Sequence, residues 1–240
     1  MNEVETVPTE DEKSSEKGLT PRNSSPFYYH SSKDTCISYE FYRLVTYPLV
    51  GKILLRICHY GVENIPDEGG LVMASNHQCF LDPMLVGMGS KRKLSFMARA
   101  SAFKIPLIGR WMTSLGVFPV QRGTADLGAI RKGVEVVSSG QILLVFPEGT
   151  RTEDGTIGAL KPGCILIAQK AGSPIIPVAI RGAYEAWPRQ NKLPWFGKVT
   201  VAYGPPIDPG QDREDAKQVQ GLLASEIHRL HQSVDWRYET

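Results

Sequence analysis

Cysteine, long apolar runs and one-sided charge are all scarce in this chain, and each shortage excludes a class of protein. The four cysteines (Cys36, Cys58, Cys79 and Cys164) make no CxxC pair and no Cys/His ligand spacing. A disulfide framework and a structural zinc site are therefore not expected, and a reducing compartment is. No uncharged apolar run approaches the ~18 residues that cross a bilayer. The first residues are acidic and polar, unlike a secretory leader. Charge is nearly balanced at +2 over the chain. Residues 1–35 hold seven acids and four bases (−3), and the rest holds eighteen acids and twenty-three bases (+5). That basic lean suits an anionic ligand or an anionic membrane surface. It is too weak for a nucleic-acid partner, and no nucleic-acid motif accompanies it.

What is present is an apolar content of 42% in 240 residues, enough for one large α/β domain with appendages. Residues 1–35 read as a disordered polar tail, with little apolar surface to offset ordering entropy. Residues 36–60 crowd aromatic and aliphatic side chains around Arg43, Lys52 and Arg56, with Pro48 expected to kink or split a helix. They read as an amphipathic helical segment on a membrane interface, or as a helix packed on the core. Residues 61–240 alternate apolar strands with helical patterns. Strands are expected near 71–74, 94–98, 116–120, 141–146, 175–180 and 198–203, and a short one within 61–70. Helices are expected at 127–137, 162–171 and from Glu214 to about Val234. This order argues an α/β fold with a mostly parallel central sheet flanked by helices.

The stretch Asn76-His77-Gln78-Cys79-Phe80-Leu81-Asp82 follows the apolar strand Leu71–Ala74. Asp82 and Pro83 suit a helix start, as cap and first turn. A histidine at a strand end with a carboxylate five residues on is a minimal general-base pair, and a helix cap or loop hydrogen bond is the plainer alternative. Two further strand ends bear on the choice. One ends at Arg122, and another leads into Phe146-Pro147-Glu148-Gly149-Thr150-Arg151. If the strands run parallel, base and arginines share one rim. Arginine's planar fork suits a phosphate, and Gly149 permits close backbone approach.

Together these motifs resemble the 1-acylglycerol-3-phosphate acyltransferase family. NHxxxxD is Asn76–Asp82, a strand ending in arginine is Gly116–Arg122, FPEGTR is Phe146–Arg151, and Ile175-Ile176-Pro177-Val178 supplies an apolar strand with a central proline. The resemblance covers about residues 40–208. It implies a glycerolphosphate acyltransferase-like fold, an acyltransferase domain at 61–240, and acyl transfer from acyl-CoA or acyl-carrier protein to a lysophospholipid. It implies His77 as general base and Asp82 as its orienting carboxylate. Arg99, Arg122 and Arg151 would hold the acceptor phosphate. Glu148 would bind the glycerol or hold a neighbouring arginine, and Gly149 and Thr150 would shape the loop. No metal and no cofactor beyond the acyl thioester are expected. The expected place is the cytoplasmic face of a membrane, peripheral or monotopic. Glycerol 3-phosphate or a lyso-aminolipid as acceptor, or a silent lipid-binding protein, are the alternatives. Cys79 stands where the family commonly has serine, so either a packing or a nucleophilic role is open. Ser101-Ala102 replaces a common Glu-Leu pair. His30, His59, His228 and His231 read as surface residues. Trp187, Trp195 and Phe196 either touch lipid or close a small core.

Overall fold

A computed structural model of the chain describes residues 47–104, 110, 112–113, 116–120, 127–191 and 193–233. The expected tail at 1–35, residues 36–46 of the segment after it and Arg122 lie outside the described residues. Seven strands form one sheet: β1 (Cys58–Tyr60), β2 (Leu71–Ser75), β3 (Leu94–Arg99), β4 (Val117–Val120), β5 (Ile142–Val145), β6 (Ile175–Arg181) and β7 (Thr200–Tyr203). Their order is β1-β7-β6-β2-β5-β3-β4. From β6 to β4 every pairing is parallel, whereas β7 runs antiparallel to β6 and parallel to β1. The helices are α1 (Asp82–Gly89), α2 (Leu127–Ser138), α3 (Gly163–Ala171), the single turn α4 (Ala183–Ala186) and α5 (Arg213–Ser233).

The sheet is covered on both faces, which is why β2, β5 and β6 are apolar runs with no polar alternation. Period-two alternation still sorts the side chains. Val72 and Ala74 join α2, α3 and the Val219–Leu223–Ile227–Leu230 seam of α5 in one core. Leu71 and Met73 join Leu55, Ile57, Leu85 and Val86 in the other. Pro177 sits in β6 without breaking the sheet. Its position faces the gap between the last β7 pair, Val178 with Tyr203, and the isolated bridge from Ile175 to Ile207. The N–H that proline lacks has no strand partner there, and its carbonyl accepts from Gly204 N at 2.8 Å.

The N-terminal region departs from expectation. The helix over 36–60 stops early: Tyr47–Leu54 is a π-helical segment, and Cys58–Tyr60 is a strand paired with β7. No strand forms within 61–70, where Val62–Asn64 makes a short 3₁₀ turn. Pro48 stands in the first turn of its segment, where a missing N–H is tolerated. The helix-to-strand change is made by Arg56, whose φ of 39° is left-handed. Ile57 N then donates back to Gly51 O at 2.8 Å, six residues earlier, which closes the end of the segment. Among the described residues, no helix is long and apolar enough to cross a membrane.

His59 lies in β1 and not on the surface. Its Nε2 is fully shielded without a hydrogen-bond partner, and Nδ1 lies 3.4 Å from Tyr203 Oη. Burial lowers its pKa to about 4. A depressed imidazole contributes stability in full above pH ~6.5, and that contribution is lost as pH falls through about 4. Denaturant melts between pH 7 and 4 should therefore show a loss of roughly 2 kcal/mol assignable to this ring. His59→Leu should remove that part of the slope; an unchanged slope would place the acid sensitivity elsewhere.

Candidate active site

β2 delivers the NHxxxxD stretch to the carboxyl ends of the parallel strands. Asn76, fully buried, bridges to β6. Its Nδ2 donates to Ile180 O at 2.9 Å, and its Oδ1 accepts from Ile180 N at 2.7 Å. The next residue is thereby fixed at the rim. His77 N donates to Glu148 Oε1 at 2.8 Å, and Thr152 N donates to His77 O at 2.8 Å. The imidazole stacks on Phe146, with centroids 4.0 Å apart and planes 18° from parallel. Both loops that leave neighbouring strands β2 and β5 thus hold this one residue.

Asp82 completes the pair. His77 Nδ1–H donates to its Oδ2 at 2.7 Å, and the carboxylate side chain is 0% exposed against 15% for the histidine. Asp82 begins α1 but does not cap it. Its Oδ2 also accepts from the backbone N–H groups of Gln78 and Cys79, which precede the helix. The N-cap position, Leu81, has no side-chain bond. The carboxylate therefore folds the loop under the imidazole and fixes the ring's tautomer. Nε2 becomes the basic atom, which is the arrangement a general base requires.

Glu148 braces the backbone beside the histidine. It borders the cavity, but both its oxygens accept from backbone N–H groups, Oε1 from His77 and Oε2 from Gly158 at 2.8 Å. Burial raises its pKa, partly offset by those two bonds. Gly149 follows at φ 76°, and a Cβ there would stand 2.9 Å from Lys161 Nζ. Beside this turn lies a cavity of about 300 Å³, bordered by Arg151, by the carboxylates of Glu148, Glu153 and Asp154, and by Thr150, Thr152, Thr156, Gly158 and Ala159. Of the arginines expected at a phosphate, Arg151 is the one that the described side chains place. Arg99 ends β3 on the same rim, in register with Val120, and its side chain is outside the described set. β4 ends there too, two residues before Arg122.

Three supports escaped the sequence reading. Phe146 was visible only as part of a motif, although an aromatic beside a catalytic-type histidine is a usable signal. Gln78 Oε1 accepts from Ala183 N and Tyr184 N, tying the loop to the first turn of α4. Its Nε2 lies 3.4 Å from His231 Nε2 on α5, so the half-buried His231 meets the loop that carries His77.

Cys79 is 1% exposed, and its thiol donates to Asp82 Oδ1 at 3.2 Å. Burial, then the charge of Asp82, pushes its pKa far up. A protonated thiol turned toward a carboxylate is not a nucleophile. Cys79→Ala is expected to keep turnover within about tenfold of the parent, the scale of losing a weak S–H donor that does not touch the reacting atoms. Loss by several orders of magnitude, with an acyl group trapped on the parent's Cys79, would restore the nucleophilic reading.

Residues 56–181, more than half the chain, match the family model described as Acyltransferase. The chain is also 30% identical over 149 residues to the 1-acyl-sn-glycerol-3-phosphate acyltransferase of Bacillus subtilis, covering 62% of this chain and 72% of that one. It belongs to the 1-acylglycerol-3-phosphate acyltransferase family. The chloroplastic family member of Brassica napus is 33% identical over 182 residues, covering 70% of this chain. This chain spans about half the length of that relative, 52%. A crystal structure of the family's Thermotoga maritima member superposes with a TM-score of 0.62 at 29% identity, covering 72% of this chain and 71% of that one. The span matched by the acyltransferase family model includes both His77–Asp82 and Phe146–Arg151.

Proposed function

We propose that this chain transfers a fatty acyl group from an acyl thioester to the 2-hydroxyl of 1-acylglycerol 3-phosphate, giving phosphatidic acid. The observation that carries the reading is the 2.7 Å His77–Asp82 pair at the rim beside the Arg151 cavity. His77 Nε2 takes the hydroxyl proton as the oxygen attacks the thioester carbonyl. Asp82 stabilises the imidazolium that forms. The tetrahedral intermediate then collapses, the C–S bond breaks, and the departing thiolate takes the proton from His77. Atoms and charge balance with no acyl-enzyme, in keeping with the neutral thiol of Cys79. The acyl donor is acyl-CoA or acyl-carrier protein. The thioester is already activated, so proton removal, worth ~10²–10⁴-fold, and fixed geometry supply most of the acceleration.

Arg151 holds the acceptor's phosphate in this reading. Product formation from lysophosphatidate with each thioester donor tests it, with glycerol 3-phosphate and a lyso-aminolipid as competing acceptors. No phosphatidate from either donor would overturn it. Arg151→Ala is expected to raise the acceptor KM about tenfold or more, with the donor KM within twofold, as for a lost charge-assisted bond. Equal losses for both substrates would remove Arg151 from the phosphate.

A further inference from the structure

The single turn α4 does not cap itself. β6 leads into it through Gly182, whose φ is 85°. A Cβ at Gly182 would run into Lys198 O, so no residue with a side chain fits at this cap position. α4 accordingly has no side-chain cap of its own, although the start of a helix leaves N–H groups that need an acceptor. Here the acceptor comes from 105 residues away. Gln78 Oε1 takes Ala183 N at 3.1 Å and Tyr184 N at 3.3 Å, and Gln78 is 3% exposed, so bulk water does not compete.

The two donors fix which way the amide faces. With its oxygen turned to α4, the NH₂ group of Gln78 points at His231 Nε2, 3.4 Å away. That ring nitrogen is then the acceptor, in a neutral imidazole that carries its proton on Nδ1. Burial, then the charge of Arg181, lowers the His231 pKa, with Glu185 opposing and His228 adding to the shift. Arg181 also donates to His231 O at 3.1 Å and so ties α5 to the end of β6. A flipped amide would set NH₂ against the two N–H groups of α4. His231 therefore holds the oxygen where the cap needs it.

Gln78 in this way joins three parts of the site. Its own N–H donates to the Asp82 carboxylate, and its chain neighbour is His77. Its side chain holds α4, and α4 holds the loop beside the Arg151 cavity. Tyr184 Oη donates to Glu153 O at 2.9 Å, and a Cβ at Gly155 would stand 3.1 Å from the Tyr184 ring. Arg189, just after α4, pairs with Glu153 at 3.4 Å. Glu148 and Thr152 brace the His77 backbone from the β5 side; Gln78 braces the next residue from the side of α4 and α5.

We propose that Gln78 is a positioning residue for acyl transfer: by capping α4 from the active-site loop, it holds the His77–Asp82 pair in register with the wall of the Arg151 cavity. Its amide is committed to α4 and α5, so it acts through His77 and Asp82 and not on the substrate. A base has little tolerance for play, since a 1 Å misplacement costs about 10²-fold. The inference rests on the acyltransferase reading for its chemistry. Each variant is compared with the parent on whichever acceptor the parent uses, so a different acceptor would change that reading and leave this one standing.

The test compares Gln78→Leu, Gln78→Asn and Gln78→Glu in steady-state kinetics at a temperature below every melt. Leucine removes the acceptor, and asparagine keeps the amide but falls a methylene short of α4. Both should lower kcat about 10²-fold, with KM for acceptor and donor within about twofold. Glutamate keeps an oxygen for both N–H groups and should hold kcat within about fivefold of the parent. His231→Leu removes the group that orients the amide. It should cost about tenfold by itself and nothing further when combined with Gln78→Leu. Hydrogen exchange reads the cap without turnover. The Ala183 and Tyr184 amides should exchange about tenfold faster or more in Gln78→Leu and at the parental rate in Gln78→Glu. Parental kcat in Gln78→Leu and Gln78→Asn, with only the melt lowered, would reduce Gln78 to a stability element and overturn the proposal. KM losses as large as the kcat losses would place Gln78 against substrate and overturn it too. So would unchanged exchange in Gln78→Leu, or a Gln78→Glu variant as slow as Gln78→Leu. Where Gln78→Leu does not fold, Gln78→Asn carries the same comparisons.

Discussion

His77→Ala is expected to lower turnover by at least ~100-fold while the protein still folds. The substitution removes the imidazole but leaves the backbone bonds at His77 N and His77 O in place. Asp82 loses one donor and keeps the two backbone N–H groups from Gln78 and Cys79. The structural losses are the ring's stack on Phe146, about 1 kcal/mol for a partly exposed aromatic pair, and its bond to Asp82, about 1.5–3 kcal/mol for a bond to a charged group. Melting should therefore fall by ~5–16 °C in a chain of this size, and a retained cooperative transition would show that an inactive variant still folds. Single-turnover rates with saturating lysophosphatidate and thioester make the check. Near-parental turnover would end the general-base assignment.

Asp82 separates activity from stability through two substitutions. Asp82→Asn keeps the size and an oxygen for the backbone donors but removes the charge that stabilises the imidazolium. Turnover should fall ~10²–10⁴-fold, the range for disabling general-base catalysis, with melting little changed. Asp82→Ala leaves the N–H groups of Gln78 and Cys79 and the His77 Nδ1–H without an acceptor in a site closed to water. Each orphaned donor costs about 1–3 kcal/mol, and partial relaxation should leave a net loss of about 3 kcal/mol, or roughly 6–12 °C in Tm. Thermal melts and turnover on the same preparations decide it. If the asparagine variant turns over normally, the carboxylate acts only as a scaffold. If the alanine variant melts like the parent, the loop does not depend on it.

The boundary errors have physical causes. Of residues 55–60 only Arg56 is exposed, so the apolar run continues out of the helical segment and local periodicity merges the two; the Cys58–Tyr60 strand exists because β7 offers an edge. His59 and His231 resemble surface residues because nothing near them in sequence is distinctive. One is enclosed by β7, and the other is brought to Gln78 by a long helix crossing the sheet. The backbone role of Glu148 has no local sign in the sequence. Its oxygens are occupied by N–H groups from residues 71 positions before it and 10 after it.

Sequence alone determined what short windows encode. The alternation of strands and helices follows from hydrophobic period. The pairing of His77 with Asp82 follows from five residues of loop, and the cavity-bordering Arg151 follows from the hexapeptide at the end of β5. Tertiary structure decided what rests on strand order. Because β2 lies between β5 and β6, Asn76 reaches Ile180 across 104 residues, and Glu148 and Phe146 hold the His77 backbone and ring. No local period specifies which strands become neighbours, because that choice is made by burying both faces of the whole sheet at once. The same packing joins the Tyr47–Leu54 segment to the loop before β7, a contact that neither segment shows by itself.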